Sequence, residues 1–340
     1  MSLKKIAEMT GTSISTVSRV LNRPDYHCHN AEMEERIREA ARKVNYLPNT
    51  NARSLKLQES TAGKIYSVDI LLARFHTLDQ DPFFRELFQF LETELLQQNC
   101  KLRHFLTVPD FSLPESESIH SHSAGIIVLG KCPASLVDTL HRRYQAVVAV
   151  DRNPTEYKMD EIVCDGAKAA KIVVEYLYEL GHRSIGYIGD CNTEARFVGY
   201  YESLLSHKLA LNYDNIVSTG QTREEGFHAY EKLMYSSNPP SAVFCANDVT
   251  ALGFLQAMNE KTDGRKKNNY WPAVVSIDDI RQSAHTSPML TTVHIPKEDM
   301  VHLAVLMLKD RLMGKHREFL RIELPCHLLI RESSGVHILS

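Results

Sequence analysis

Residues 3–22 read LKKIAEMTGTSISTVSRVLN, and they decide the architecture of the first part of the chain. Leu3, Ile6 and Ala7 form a short apolar stripe, Gly11-Thr12 interrupts it, and Ile14, Val17, Val20 and Leu21 resume at helical spacing. Asn22 and Pro24 predict the end of that second helix. Met33, Ile37, Ala40, Ala41 and Val44 predict a third, with Asn30 as N-cap and Glu32, Glu34 and Glu35 at the positive end of its dipole. Three short helices with a tight turn between the first two are a helix-turn-helix layout. Outward from it, Tyr46-Leu47-Pro48-Asn49 predicts a stiff linker, and Thr50 to Leu57 a helix of two turns, too short to be stable alone in water.

The second helix carries the chemistry of this head. If Val17, Val20 and Leu21 pack inward, Ile14, Ser15, Ser18 and Arg19 face outward. Such a surface suits a DNA major groove: Ile14 against a thymine methyl, Ser15 as an adaptable donor and acceptor, Arg19 to a guanine edge. The bland alternative is a serine-rich cap on a structural helix. Charge favours the first reading. The chain carries 39 Lys/Arg and 42 Asp/Glu, net −3. Residues 1–60 hold ten basic against seven acidic groups, leaving 29 against 35 for the remainder, so a basic head precedes an acidic body.

At 340 residues the chain is long enough for two or three compact units. Residues 58–63 are small and polar and mark a boundary. Beyond it, buried-strand runs (68–72, 125–129, 146–150, 184–188, 242–246, 273–277) alternate with amphipathic helices such as 82–100, 168–180 and 250–260, which predicts parallel sheets with helices on both faces. About 280 residues favour two such subdomains with a cleft. Ligands in such folds bind beyond the carboxyl ends of the strands. Asp151, Asn247-Asp248 and Asp278-Asp279 stand at such ends, and Arg196 opens a helix after Gly189-Asp190. Groups of this kind grip paired sugar hydroxyls, although each can equally cap the helix that follows. No apolar run is long enough to cross a bilayer and the N-terminus does not read as a signal peptide, so a cytoplasmic location without membrane contact is expected. The seven cysteines include no C-x-x-C pair, which argues against a disulfide framework and a cysteine zinc site. His27-Cys28-His29 supplies too few ligands for a metal, and His120 and His122 are an isolated pair. Neither a dinucleotide fingerprint, a P-loop, a nucleophile elbow nor a zincin motif occurs, so an enzyme is not expected and no cofactor is called for.

Thr16-Val17-Ser18-Arg19-Val20-Leu21-Asn22, followed by Tyr46-Leu47-Pro48-Asn49 and Ala52-Arg53-Ser54-Leu55, resembles the head and hinge of the LacI/GalR family of regulators. The likeness extends over essentially the whole chain. It implies a helix-turn-helix domain (1–45), a linker with hinge helix (46–60) and a periplasmic-binding-protein-like effector and dimerisation core (61–340). The core would be two interleaved subdomains, roughly 61–160 plus 292–320 and 161–291 plus 321–340. By the resemblance Ile14, Ser15 and Arg19 read bases, and Ser13, Thr16, Ser18, Asn22 and Asn49 hold backbone or nearby groups. Leu55, with Ala52 beside it, wedges into the minor groove. Arg196, Asn247, Asp278 and Asp151 contact the effector, with Phe83 or Phe84 stacking on it and Gln221 standing where several sugar-responsive members place an aromatic.

Two stretches depart from the family pattern: Tyr26-His27-Cys28-His29 before the third helix, and Asp165-Gly166-Ala167-Lys168 at the subdomain junction. Gly125 to Lys131 is similar to galactoside-responsive members. The expected function is a homodimeric repressor on a pseudo-palindromic double-stranded operator, released by a small effector, a sugar such as a galactoside. The alternative is a corepressed regulator answering to a phosphorylated metabolite, a purine or a protein partner. A sugar-binding receptor or an α/β sugar enzyme are the readings from other classes.

Overall fold

In a computed structural model, residues 3–22, 31–43, 65–74, 77–108, 123–155, 158–192, 194–261 and 271–335 are described. The chain divides into a unit of residues 1–64 and one of 65–340. The first holds α1 (Leu3–Thr10), α2 (Ile14–Asn22) and α3 (Ala31–Lys43). Gly11, at φ +64°, turns the chain out of α1, a left-handed conformation that glycine adopts without Cβ strain. The backbone N–H of Thr12 closes the turn onto the carbonyl of Ala7. Ile6, Ala7, Val17, Val20, Ile37, Ala40 and Ala41 then bury one apolar face from each helix against the other two. These are the positions that the helical spacing selects.

The second unit contains two six-stranded sheets. The first lobe has the order β11-β5-β4-β3-β1-β2, where β1 is Tyr66–Leu72, β2 Cys100–Thr107, β3 Gly125–Leu129, β4 Ala146–Asp151, β5 Asp160–Val163 and β11 Arg321–Glu323. The second has the order β12-β10-β9-β8-β6-β7, with β6 Ile185–Gly189, β7 Ile216–Ser218, β8 Ala242–Cys245, β9 Ala273–Asp278, β10 Thr291–His294 and β12 His327–Leu329. Among the described residues, all strand pairs are parallel except β10 with β12. Central strands such as β3 and β4 are buried along their whole length, which is why they read as unbroken apolar runs.

Helices cover these sheets: α4 (Pro82–Gln97), α5 (Ala134–Arg143) and α10 (Lys297–Leu312) in the first lobe, α6 (Gly166–Glu179), α7 (Ala195–Ser206), α8 (Arg223–Met234) and α9 (Asp248–Lys261) in the second. Asp81 caps α4, accepting the Phe83 N–H at 2.9 Å, with Pro82 in the first turn. The helix expected to reach residue 100 stops at Gln97. Asn99 turns left-handed at φ +55°, and Cys100 already belongs to β2. Where α8 meets α9, a Cβ on Gly253 would lie 1.9 Å from the Arg223 carbonyl oxygen, so the two backbones approach as only glycine allows. No helix among the described residues is long and apolar enough to cross a membrane.

The chain passes between lobes at Cys164-Asp165, at Ile295-Pro296 and at Leu324-Pro325-Cys326. The expected breakpoints at 160, 291 and 320 each fall three residues short of the ends of β5 (163), β10 (294) and β11 (323). These strands stay in their ladders before crossing: Val163 is in register with Glu323 and Asp151, and His294 with Asp278. Very short strands of this kind are fixed by their neighbours and leave little periodicity to read.

Candidate functional site

Two surfaces carry the chemistry, one in each unit. On the head, the Ser13 hydroxyl accepts the Thr16 N–H at 3.1 Å and so caps α2, a contact worth about 1 kcal/mol. The hydroxyls of Ser15 and Thr16 each lie 2.8 Å from it. Val17 and Val20 are buried, while Ile14 is 48% exposed, Ser15 and Arg19 are exposed and Ser18 is half-buried. An apolar tip, hydroxyls and a guanidinium thus share the outward face of one helix. Asn22 closes that helix. Asn49, Ala52, Leu55 and the His27-Cys28-His29 loop lie outside the described residues, as do His120 and His122.

In the second unit the expected cleft residues converge. Asp151 ends β4, Asp278 ends β9, Asn247 follows β8, Arg196 lies in the first turn of α7, and Phe83 and Phe84 open α4. All of them, with Gln221, are at most 5% exposed. Asp278 and Asp279 stand at φ +131° and +48°, conformations costing roughly 1–3 kcal/mol each. Lys297 holds them there, its ammonium donating to both carbonyls at 2.7 and 2.8 Å and pairing with Glu86 at 3.3 Å. The strained turn aims the Asp278 carboxylate at Arg152.

Arg152 was not expected from sequence. It is 1% exposed, pairs with Asp278 through Nη1, and lays its guanidinium over the Phe83 ring, 4.2 Å from the centroid. Burial opposes its charge, but Asp278 and Asp81 outweigh that and keep it protonated. Three more groups escaped the sequence reading: Glu194, Arg74 and Lys297. Glu194 takes Arg196 through Oε2 and Arg74 through Oε1 at 2.7 Å. Burial alone would raise the Glu194 pKa; Arg196, Arg74 and Arg152 reverse the sign and hold it well below the carboxylate range. Gln221 accepts from Arg74 at 3.0 Å and Arg196 at 3.3 Å. The weak signals available were positional: Arg152 and Arg74 lie just past strands, and Glu194 precedes a helix.

Some expected contacts also serve the fold. Asn247 accepts the Thr250 N–H at 3.0 Å, capping α9, and donates to the Gln221 carbonyl at 3.3 Å. Asp248 behind it accepts from Ser276, Ser283, Thr292 and the Ile280 N–H, and burial pushes its pKa up to about 7. Gln221, expected where several sugar-responsive members place an aromatic, adopts φ +66°, and Phe83 and Phe84 pack edge to face.

Among the described residues, several buried polar atoms of this network find no hydrogen-bond partner in the protein: Nε and Nη2 of Arg152, Nε2 of Gln221, Oδ2 of Asp151 and Oδ2 of Asp278. Leaving such groups unpaired costs about 1–3 kcal/mol each. No group of three or more possible metal ligands occurs among the described residues.

Residues 2–49 match the model of bacterial regulatory proteins of the lacI family, and residues 174–264 and 271–334 that of a periplasmic binding protein-like domain. The chain is 28% identical over 345 residues to the HTH-type transcriptional repressor PurR of Pasteurella multocida, covering 97% of this chain and 98% of that one. A PurR of Haemophilus influenzae is also 28% identical, over 350 residues with the same coverage. Among solved structures, a transcriptional regulator CelR–cellobiose complex superposes with a TM-score of 0.68 at 23% identity, over 98% of this chain and 99% of the other. The lac repressor dimer bound to operator and the anti-inducer ONPF gives 0.65 at 20%, with the same coverage. At these identities the solved structures speak to the fold.

Proposed function

The chain belongs to the LacI/GalR family of DNA-binding transcriptional repressors, and on that premise we propose that its cleft takes a small neutral polyhydroxylated effector, a sugar such as a galactoside, that releases it from its operator. The observation that carries this reading is the mixture of unpartnered buried groups: three donors, on Arg152 and Gln221, and two acceptors, on Asp151 and Asp278. A ligand that satisfies both kinds must donate and accept. Hydroxyl groups do both, whereas a phosphate accepts only and would sit against the Asp278 carboxylate. The Phe83–Phe84 pair supplies the apolar floor that a sugar ring needs.

The operator is read by a homodimer, with Ile14, Ser15 and Arg19 at base edges and Ser13, Thr16, Ser18, Asn22 and Asn49 on backbone or nearby groups. Leu55 and Ala52 of the hinge enter the minor groove. The effector alters the pose of the two lobes, the hinge helices separate, and operator affinity falls; a coupling of about 1–3 kcal/mol is enough for such a switch. The protein acts where the DNA is, in the cytoplasm. A second reading, a corepressed regulator responding to a purine, is favoured by the full-length relatives named PurR.

Thermal melting against galactosides, glucosides, free hexoses, hexose phosphates and purines separates the two. A ligand at 100 times its Kd adds about 2.7 kcal/mol of stability. A rise with neutral sugars alone, followed by loss of operator binding on adding the same sugar, supports the proposal. A rise with purines alone transfers the assignment to the corepressed reading.

A further inference from the structure

Arg152 and Asp278 belong to different lobes. Arg152 follows β4, ahead of the first crossing, whereas Asp278 ends β9, between the first crossing and the second. The base of the arginine is fixed from two sides. Its N–H donates to the Asp151 carboxylate at 2.6 Å, and its carbonyl accepts the Gly166 N–H at 2.8 Å. A Cβ at Gly166 would lie 3.1 Å from that carbonyl oxygen and 3.1 Å from Cγ of Arg196, so the bend is packed tightly. From this base the side chain runs over the Phe83 ring and ends on Asp278 in the other lobe. The next residue also crosses: Asn153 donates to Glu194 at 3.3 Å and accepts the Ala195 N–H at 3.3 Å. Lys297, a second cation near the Phe83 ring, is committed to Glu86 and to the carbonyls of Asp278 and Asp279. The ring face and the carboxylate assigned above to the effector are thus engaged by a side chain of the protein.

From this geometry we propose that Arg152 is a tethered occupant of the cleft: its guanidinium latches the first lobe to the second across Phe83 and Asp278, and a free alkylguanidinium cation can take its place. The proposal rests on the reading above only in treating Phe83 and Asp278 as effector groups. A guanidinium is planar and cannot be deprotonated at ordinary pH, so it can stack on a ring and face a carboxylate at the same time. An ammonium has the charge without the plane. The pairing is also incomplete. Nε and Nη2 are buried without a partner in the protein, and Asp278 is held at φ +131°, a conformation that side chains rarely adopt. Such a latch is poised to open. An effector that claims Asp278 must first break it, so the strength of the latch subtracts from the effector's affinity, and the pose of the two lobes is set by the chain as well as by the ligand.

The test uses the full chain. R152A removes an ethylguanidinium fragment, and ethylguanidinium chloride is the probe. In melting titrations at constant ionic strength R152A should gain about 2–4 °C from millimolar probe, whereas wild type, whose site is filled, should gain nothing. Ethylammonium chloride should leave R152A unchanged, and the double variant R152A D278N should respond to neither cation. Amide hydrogen exchange at residues 151–154, 194–197 and 278–281 should run about tenfold faster in R152A than in wild type and return towards wild type with the probe, while α5 serves as the unaffected reference. The proposal is overturned if R152A ignores the probe, if wild type gains as much, or if α5 accelerates equally. Should R152A not fold, D278N decides by the same exchange measurement: acceleration confined to the three facing segments supports the latch, and uniform or absent acceleration overturns it. No sugar enters these experiments. A sugar screen without a melting shift therefore counts against the sugar reading alone, and an unresponsive R152A against the latch alone.

Discussion

Replacing Arg152 with methionine tests the electrostatic frame of the cleft. The substitution keeps an unbranched chain against Phe83 but removes the cation facing Asp278, a carboxylate with no solvent exposure. Breaking a buried pair from one side costs about 3–5 kcal/mol, because the remaining charge is left uncompensated. For a domain of this size each kcal/mol lowers the melting temperature by roughly 2–4 °C, so R152M should melt about 6–20 °C lower. The sign of a second change is more telling. D278N alone strands the buried guanidinium and should destabilise. D278N placed on R152M removes the stranded carboxylate and should recover a substantial part of the loss. Calorimetric melting of the four proteins closes the cycle. If D278N has the same sign in both backgrounds, or if R152M melts within about 2 °C of wild type, the pair does not hold the cleft together.

Glu161 is buried beside Asp151, and burial raises its pKa to about 7. The native state then holds a proton that the unfolded chain releases near pH 4.5, so this group's contribution to stability falls as pH climbs from about 4.5 to 7. E161Q should flatten that slope, gaining on wild type by about 1–3 kcal/mol between pH 5 and pH 8 in denaturant titrations. G253A forces a Cβ into the Arg223 carbonyl and should cost about 1–3 kcal/mol by the same titration, with wild-type cost marking the α8–α9 approach as looser than described. R19A should weaken operator binding by about 1–3 kcal/mol in gel-shift titration and leave ligand-induced melting shifts intact; unchanged affinity would remove Arg19 from the interface. L55G should weaken operator binding strongly while sparing effector binding, and equal affinity in both proteins would sink the minor-groove role of the hinge.

The head was legible because its core is local. Ile6, Val17, Val20 and Ile37 recur at spacings that only helices bring to one side, and the same spacings leave Ile14, Ser15 and Arg19 outside. The buried polar cluster of the second unit was legible where an apolar run ended in a polar residue, as at Val150-Asp151, Ala246-Asn247 and Ile277-Asp278. Arg152, Glu194, Arg74 and Lys297 were not, because each acquires its role from partners distant in sequence; Arg152 and Asp278 are separated by 126 positions. β2 was hidden for another reason. Its burial alternates only partly along Cys100–Thr107, and its lysine, arginine and histidine dilute the apolar signal. β11 and β12 are three residues long and take their direction from the strands they join.

The triple passage between the lobes bears on how such a chain can change. Neither lobe is a continuous stretch, so neither can be expressed, deleted or exchanged by a single cut. A recombination event that replaced one lobe would need junctions at all three crossings at once. Under the proposed function, novel ligand preferences would be reached by point substitution around the cleft, at positions such as 152 and 221. The head, which ends before the first of these crossings, can be exchanged through one junction in the linker.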